Sequence, residues 1–120
     1  MTNEQRAMEI IKKYNFEFNH IPKQEIIDLI QKEIENYQGG SSEYLRLLCG
    51  YLYCLGDLTD VPLLEKVKYT INMDVGCMID IEWIDSLKNG GIKTQFTGSR
   101  QEIIDRFVSY YKNFQPEDEY

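Results

Sequence analysis

The sequence predicts an all-α protein in which six helices form three stacked helical hairpins, an α-solenoid within one domain spanning residues 1–120. The segment from Tyr44 to Leu55 is apolar almost all the way round a helix, with Arg46 as its only charge, so other helices must cover it on most sides. Apolar residues elsewhere recur at intervals of three and four, and no useful stretch alternates with period two. The odd-numbered helices begin near positions 3, 43 and 75, and helix pairs that recur at roughly 30 to 50 residues are typical of α-solenoids.

The first two helices are marked by their starting residues and by their apolar faces. Thr2 and Gln5 fit a capping box. Pro22 suits the first turn of the second helix, because its missing amide hydrogen would have no partner there. Residues 15–21 are expected to form a connector. The apolar faces consist of Ala7, Ile10, Ile11 and Tyr14 in the first helix, and of Ile26, Ile27, Ile30, Ile34 and Tyr37 in the second.

The third and fourth helices are separated by a short polar turn. The run of glycine and serine at 39–42 ends the preceding pattern and offers an N-cap. Gly56 is expected to end the third helix in the left-handed conformation. Asp60 is expected to cap the fourth helix, with Pro62 in its first turn.

The last pair is less regular. A fifth helix is predicted from Val75 to Leu87, and the glycines at 90 and 91 stop it. A loop follows, then a capping box formed by Ser99 and Glu102. The sixth helix continues to Pro116, and residues 115–120 are expected to be a frayed acidic tail. Its apolar face consists of Ile103, Ile104, Phe107, Val108, Tyr111 and Phe114.

Composition and charge restrict the classes of function. Twenty acidic and thirteen basic residues give a net charge of -7, which repels phosphate backbones and attracts basic proteins. No apolar run approaches the roughly 20 residues needed to cross a bilayer, and the polar start lacks the core of a signal peptide. We therefore expect a cytoplasmic protein that binds neither nucleic acid nor membrane. Its three cysteines, Cys49, Cys54 and Cys77, are expected to be reduced.

The turn between the third and fourth helices carries a resemblance to a known family. Residues 55–64, Leu-Gly-Asp-Leu-Thr-Asp-Val-Pro-Leu-Leu, resemble the turn of a HEAT-like repeat, which implies a HEAT-like or armadillo-like stack. A broader stretch, residues 48–91, resembles small bacterial helical proteins, some of which are immunity proteins of polymorphic toxin systems. That resemblance implies a non-enzymatic protein that neutralises a toxin by binding it. It implies no catalytic residues and no cofactor.

An acidic cluster on the fifth helix is the sharpest candidate for a binding surface. Asp74, Met78, Glu82 and Asp85 are spaced four, four and three apart, which would place them on one face of a continuous helix. Such a face, with Met78 or a partly exposed Trp83 as apolar anchor, is suited to a basic and partly apolar partner. The alternative is that the stripe is an ordinary solvated face.

Two other functions stay open. A structural scaffold or homodimer would use exposed aromatic residues, and a small hydrolase would use two carboxylates of the acidic cluster as general acid and base.

His20 is the only histidine and no Cys-x-x-Cys pair exists, so we expect no metal site. Asp80 falls on the side that the fifth helix should bury and would need Lys68, Arg46 or a helix N-terminus as its partner. Whether its role is structural or functional stays open.

Overall fold

Helices make up the regular structure of residues 1–114, the part of the chain that the computed structural model describes. Within this part there is no β-strand, so the all-α prediction is confirmed, but there are seven α-helices and not six. The predicted acidic tail, residues 115–120, lies outside the described residues. The helices are α1 (Asn3–Tyr14), α2 (Lys23–Glu35), α3 (Glu43–Leu55), α4 (Val61–Thr70), α5 (Met73–Met78), α6 (Ile81–Asn89) and α7 (Arg100–Lys112), with 3₁₀ turns at Phe18–His20 and Leu58–Asp60.

Both predicted capping boxes are confirmed. The Thr2 hydroxyl accepts from the Gln5 amide at 3.1 Å, and the Gln5 side chain accepts from the Thr2 amide at 2.9 Å. Ser99 and Glu102 make the equivalent pair at the start of α7. These bonds satisfy amides that a helix start would otherwise leave unpaired, which is why both helices begin where the pattern predicts.

The turn between α3 and α4 differs from the prediction at two residues. Gly56 has φ -99°, outside the left-handed region. Its position requires glycine for another reason, because an added Cβ would lie 2.5 Å from both the Asp60 carboxylate and the Leu52 carbonyl oxygen. The side chain of Asp60 does not cap α4. It accepts from the Asp57 amide and pairs with Lys23 at 2.9 Å, which ties α2 to this turn.

The apolar helix α3 lies at the centre of the fold, as its pattern predicts. Every side chain from Tyr44 to Cys54 is buried except Arg46, which is half-buried. The backbone of α3 approaches those of α1, α2, α5 and α6. Each fully buried leucine of such a helix contributes roughly 1.5–3 kcal/mol of hydrophobic free energy. The core therefore depends on this one helix being covered by its neighbours.

The last helix is held against α3 by an aromatic cluster. The Phe107 ring lies over Gly50, where a Cβ would overlap it. Tyr51 and Tyr111 meet the same ring edge-on, with centroids 6.1 and 5.2 Å away. Such edge-to-face contacts are favourable for aromatic pairs.

None of the helices within residues 1–114 combines the length and the hydrophobicity that spanning a membrane requires.

The predicted fifth helix from Val75 to Leu87 is wrong as a continuous element. Its range is divided between α5 and α6, and Ile79 between them has extended backbone with φ -91° and ψ 112°. At the other end of the chain, α7 stops at Lys112, short of Phe114 and of Pro116, which lies outside the described residues.

The contact between Gly50 and Phe107 gives a test of this packing. We expect Gly50→Ala to lower the free energy of unfolding by about 1–3 kcal/mol, because the added methyl group displaces the buried Phe107 ring. Gly39→Ala is the matched control, since a Cβ there meets nothing within 4 Å. Urea denaturation of both variants measures the difference. Equal stabilities would show that α7 does not pack on α3 in this way.

Candidate functional site

The break between α5 and α6 is built by two polar side chains. Asp80 is the N-cap of α6 and accepts from the Glu82 amide at 2.9 Å. Lys68, on α4, donates to the carbonyl oxygens of Gly76 and Ile79 at 2.7 and 2.6 Å. Carbonyls at a helix C-terminus lack partners within the helix, so an ammonium group placed there stabilises the end of α5.

Asp80 is therefore not the buried carboxylate that the continuous helix predicts. It is exposed, and its structural role is to begin a helix. Neither Lys68 nor Arg46 forms an ion pair with it within residues 1–114. The Lys68 ammonium instead donates to two carbonyl oxygens. The prediction that Asp80 is buried is wrong, because it assumed a continuous helix through Ile79.

The break also separates the predicted binding residues. Asp74 is exposed and Met78 half-buried on α5, whereas Glu82, Trp83 and Asp85 lie on α6 beyond the break. The premise that one helix face carries the acidic stripe is wrong. Trp83 is only 2% exposed, so the prediction of a partly exposed edge is wrong as well. Asp85 is exposed, as a binding residue requires.

Glu82 is committed to contacts within the protein. Its carboxylate pairs with Arg106 on α7 at 2.9 Å and accepts from the Gly98 amide at 2.7 Å. The hydrogen bond from Arg106 lowers the pKa of Glu82 below its usual value, and the Gly98 amide adds to this effect. The side chain thus fixes the loop before α7, and its charge is largely neutralised.

Three adjoining pockets form a groove along the break. The first, of about 430 Å³, lies between the start of α3 and α5, with Glu43 and Asp74 in its lining. The second, of about 360 Å³, shares Met78 with the first, and the third, of about 220 Å³, shares Arg46 and Asp80 with the second. We call this the α5–α6 groove and define it by Glu43, Arg46, Asp74, Met78, Asp80 and Tyr110.

The groove combines carboxylates with apolar surface. Asp74 and Asp80 are exposed, and neither forms an ion pair within the described part of the chain. Ile81 adds an exposed aliphatic side chain beside the half-buried Met78. Glu43 accepts hydrogen bonds from the Tyr110 and Tyr111 hydroxyls at 2.5 and 3.1 Å. The groove therefore presents the carboxylates of Glu43, Asp74 and Asp80 and flexible apolar side chains, together with the cations Arg46, Lys68 and Arg106.

Arg46 occupies the junction of the second and third pockets. Its guanidinium carbon lies 4.0 Å from the centroid of the Tyr110 ring and 5.4 Å from that of Trp83. Its Nη1 is buried and has no hydrogen-bond acceptor among residues 1–114. A buried donor without a partner costs about 1–3 kcal/mol. The binding surface predicted from the sequence does not include Arg46. A single charge on an otherwise apolar helix is, however, a signal that the charged residue takes part in binding.

The cysteines differ sharply in accessibility. Cys49 and Cys54 are buried in α3, whereas Cys77 is exposed in the lining of the groove. Burial raises the pKa of the Cys49 thiol well above its usual range and that of Cys54 to about 12. Within the described residues, no three histidine, cysteine or acidic side chains converge to hold a metal ion.

Comparisons with known proteins leave the resemblances untested. No family model, no curated protein and no solved structure matches the chain. The HEAT-like and immunity-type resemblances stay predictions.

The accessibility of Cys77 can be measured by thiol labelling. We expect one thiol to react rapidly with an aromatic disulfide reagent in native buffer and all three to react in guanidinium chloride, because burial keeps Cys49 and Cys54 protonated and out of reach. Cys77→Ser should abolish the rapid phase. Two or more rapid equivalents in the wild type would contradict the burial of α3.

Proposed function

We propose that this chain is a non-enzymatic protein-binding module that takes a basic, partly apolar segment of another protein into the α5–α6 groove. In its most specific form the proposal is a bacterial immunity-type protein that acts in the cytoplasm and blocks a basic toxin. That form rests on the resemblance of residues 48–91 and on the acidic character of the chain.

The observation that supports this function best is the lining of the groove. Asp74 and Asp80 place exposed carboxylates on either side of Met78, and Ile81 extends the apolar surface. Methionine adapts its shape to different apolar partners, and unpaired carboxylates favour lysine and arginine. On this proposal Asp74 and Met78 have the role that the sequence predicts for them, and Asp80 joins them. For Asp85, which lines none of the three pockets, that role stays a prediction.

Long-range charge favours the same class of partner. The net charge of -7 attracts a basic protein over a distance of about a Debye length, roughly 8 Å at physiological salt. Such steering raises the association rate and depends on ionic strength. The groove then supplies the short-range contacts that a uniform charge cannot supply.

We propose in addition that the helices stack as three HEAT-like hairpins. The backbone of α3 approaches helices that precede it, α1 and α2, and helices that follow it, α5 and α6, as a middle repeat would need. The molecule measures 44 × 28 × 26 Å along its principal axes, which suits a short stack. On this proposal α5 and α6 together replace one helix of the third hairpin.

A structural scaffold or homodimer is the second candidate function. Leu58, Ile92 and Phe96 are 59%, 66% and 86% exposed near the loop before α7, and apolar side chains of this kind are common in dimer interfaces. Sedimentation velocity at several concentrations separates the two candidates, since a monomer at every concentration excludes a homodimer.

The groove can be tested by changing its charge while keeping its helix caps. We expect the double variant Asp74→Lys with Asp80→Asn to lose most binding to the partner captured from the native host, because two carboxylates that face basic residues are removed. Asparagine at position 80 retains an N-cap oxygen for α6. Isothermal titration calorimetry of the purified partner measures the loss.

The matched control carries the same change of charge outside the groove. Glu9→Lys with Glu35→Gln alters two exposed carboxylates on α1 and α2, which line none of the three pockets. This variant should bind within a few-fold of the wild type. If both variants bind equally well, or if both lose binding equally, the α5–α6 groove is not the binding site.

A further inference from the structure

Among the four arginines, Arg46 differs from the other three in that its side chain has neither an ion pair nor a carbonyl partner within residues 1–114. Arg6 pairs with Glu33, and Arg106 pairs with Glu82. Arg100 donates to the carbonyl oxygens at the C-terminal end of α3, the shortest of these contacts being 2.9 Å to Cys54. Arg46 has no ion pair within residues 1–114, and its buried Nη1 has no acceptor there.

The Arg6 guanidinium has both an aromatic ring and a carboxylate as partners, whereas that of Arg46 has aromatic rings alone among residues 1–114. The Arg6 guanidinium lies 3.9 Å from the centroid of the Tyr44 ring, and both of its terminal nitrogens donate to the Glu33 carboxylate. Arg46 is stacked in the same way, 4.0 Å from the centroid of Tyr110, but it forms no ion pair with a carboxylate of residues 1–114. A stacked guanidinium is restricted in orientation, so its unused donors are well prepared for a planar, bidentate acceptor.

Two acidic side chains lie close to Arg46 in sequence or in the lining of the pockets, and neither forms an ion pair with it within residues 1–114. Glu43, one turn before Arg46 on α3, accepts from the Tyr110 and Tyr111 hydroxyls. Asp80 lines the same two pockets as Arg46, but its carboxylate accepts from the Glu82 amide at the start of α6. Arg46 therefore lines two pockets of the groove, with Nη1 buried and with no ion pair to the described residues.

We propose that Arg46 binds a carboxylate of the partner protein, an aspartate or glutamate side chain or a C-terminal carboxyl group. This inference rests on the proposed function and specifies it: the bound segment carries one carboxylate flanked by basic residues. The carboxylate lies in the third pocket against Tyr110, which Arg106 also lines, and the flanking basic residues face Asp74 in the first pocket and Asp80 in the second. A purely basic peptide leaves Arg46 unpaired.

This arrangement gives the groove selectivity among basic proteins. Charge attraction alone does not distinguish one cationic segment from another, whereas a buried cation that requires a carboxylate penalises every segment without one. Arg46 acts here as a specificity-determining residue, and the exposed carboxylates supply the general attraction.

A peptide-display selection tests the assignment without knowledge of the natural partner. Random decapeptides displayed on messenger RNA are selected against the full-length wild type and against the full-length Arg46→Gln variant. Wild-type selections should yield peptides with an aspartate or a glutamate at a fixed position among lysines and arginines. Selections on Arg46→Gln should keep the basic residues and lose the fixed carboxylate.

The leading peptide is then compared with its amide counterpart, Asp→Asn or Glu→Gln, on both proteins. The fluorescence of Trp83, the only tryptophan of the chain, serves as the readout, because its ring lines the same pocket. We expect the amide peptide to bind the wild type roughly tenfold or more weakly, and to bind Arg46→Gln as well as the carboxylate peptide does. Since this comparison changes the peptide, it does not depend on a possible loss of stability in the variant.

The outcomes separate this inference from the proposed function. Basic peptides without a fixed carboxylate, or an amide peptide that binds the wild type equally well, overturn the role of Arg46 and leave the binding function standing. Acidic peptides that lack basic residues support Arg46 but contradict a basic partner. The absence of any selected peptide overturns both.

The carboxylates of residues 117–119 provide one further control. A full-length variant with Glu117→Gln, Asp118→Asn and Glu119→Gln is selected in parallel. If only this variant enriches carboxylate-containing peptides, the acceptor for Arg46 comes from the chain itself, and the assignment to a partner is overturned.

Discussion

The burial of α3 is the constraint on which the rest of the structure depends. A helix that is apolar on nearly every side has no stable position in water, so the surrounding helices must cover it. Gly50 leaves room for the Phe107 ring of α7. The ion pair between Lys23 and Asp60 and the hydrogen bonds from Arg100 to carbonyl oxygens hold the turn at the end of α3. The groove exists because α5 and α6 cover the same helix with a break between them.

The basic residues of this acidic chain are used mainly as internal ties. Arg6, Arg100 and Arg106 join elements that are distant in sequence, and Lys68 joins α4 to the end of α5, through carboxylates or through carbonyls at helix ends. Few basic side chains are then left to balance the surface carboxylates, which suits a protein that attracts cationic partners. Arg46 is the arginine without an ion pair or a carbonyl partner within residues 1–114, and it is the one for which we propose an acceptor outside the chain.

Periodicity and capping chemistry predicted most of the fold, because both are local. The break at Ile79 was missed because Val75, Ile79 and Trp83 keep a spacing of four, which a continuous helix and two short helices satisfy equally. Asp80 as an N-cap was the available signal against continuity. The spacing of the residues did not predict that Arg46 lacks an ion pair. Glu43, one turn earlier on α3, has the spacing of an ion-pair partner, but its carboxylate accepts from two tyrosine hydroxyls of α7.

Native-state hydrogen exchange tests the central claim that α3 is the covered core and that the groove lies in more weakly held structure. Amides of α3 should exchange last, with an opening free energy equal to the free energy of global unfolding from urea denaturation. Amides of α5 and of the first turn of α6 should exchange earlier, through local opening at the break. If the amides of α3 exchange as fast as those of α5, the helix is not the covered centre of the molecule, and both the fold and the groove described above are wrong.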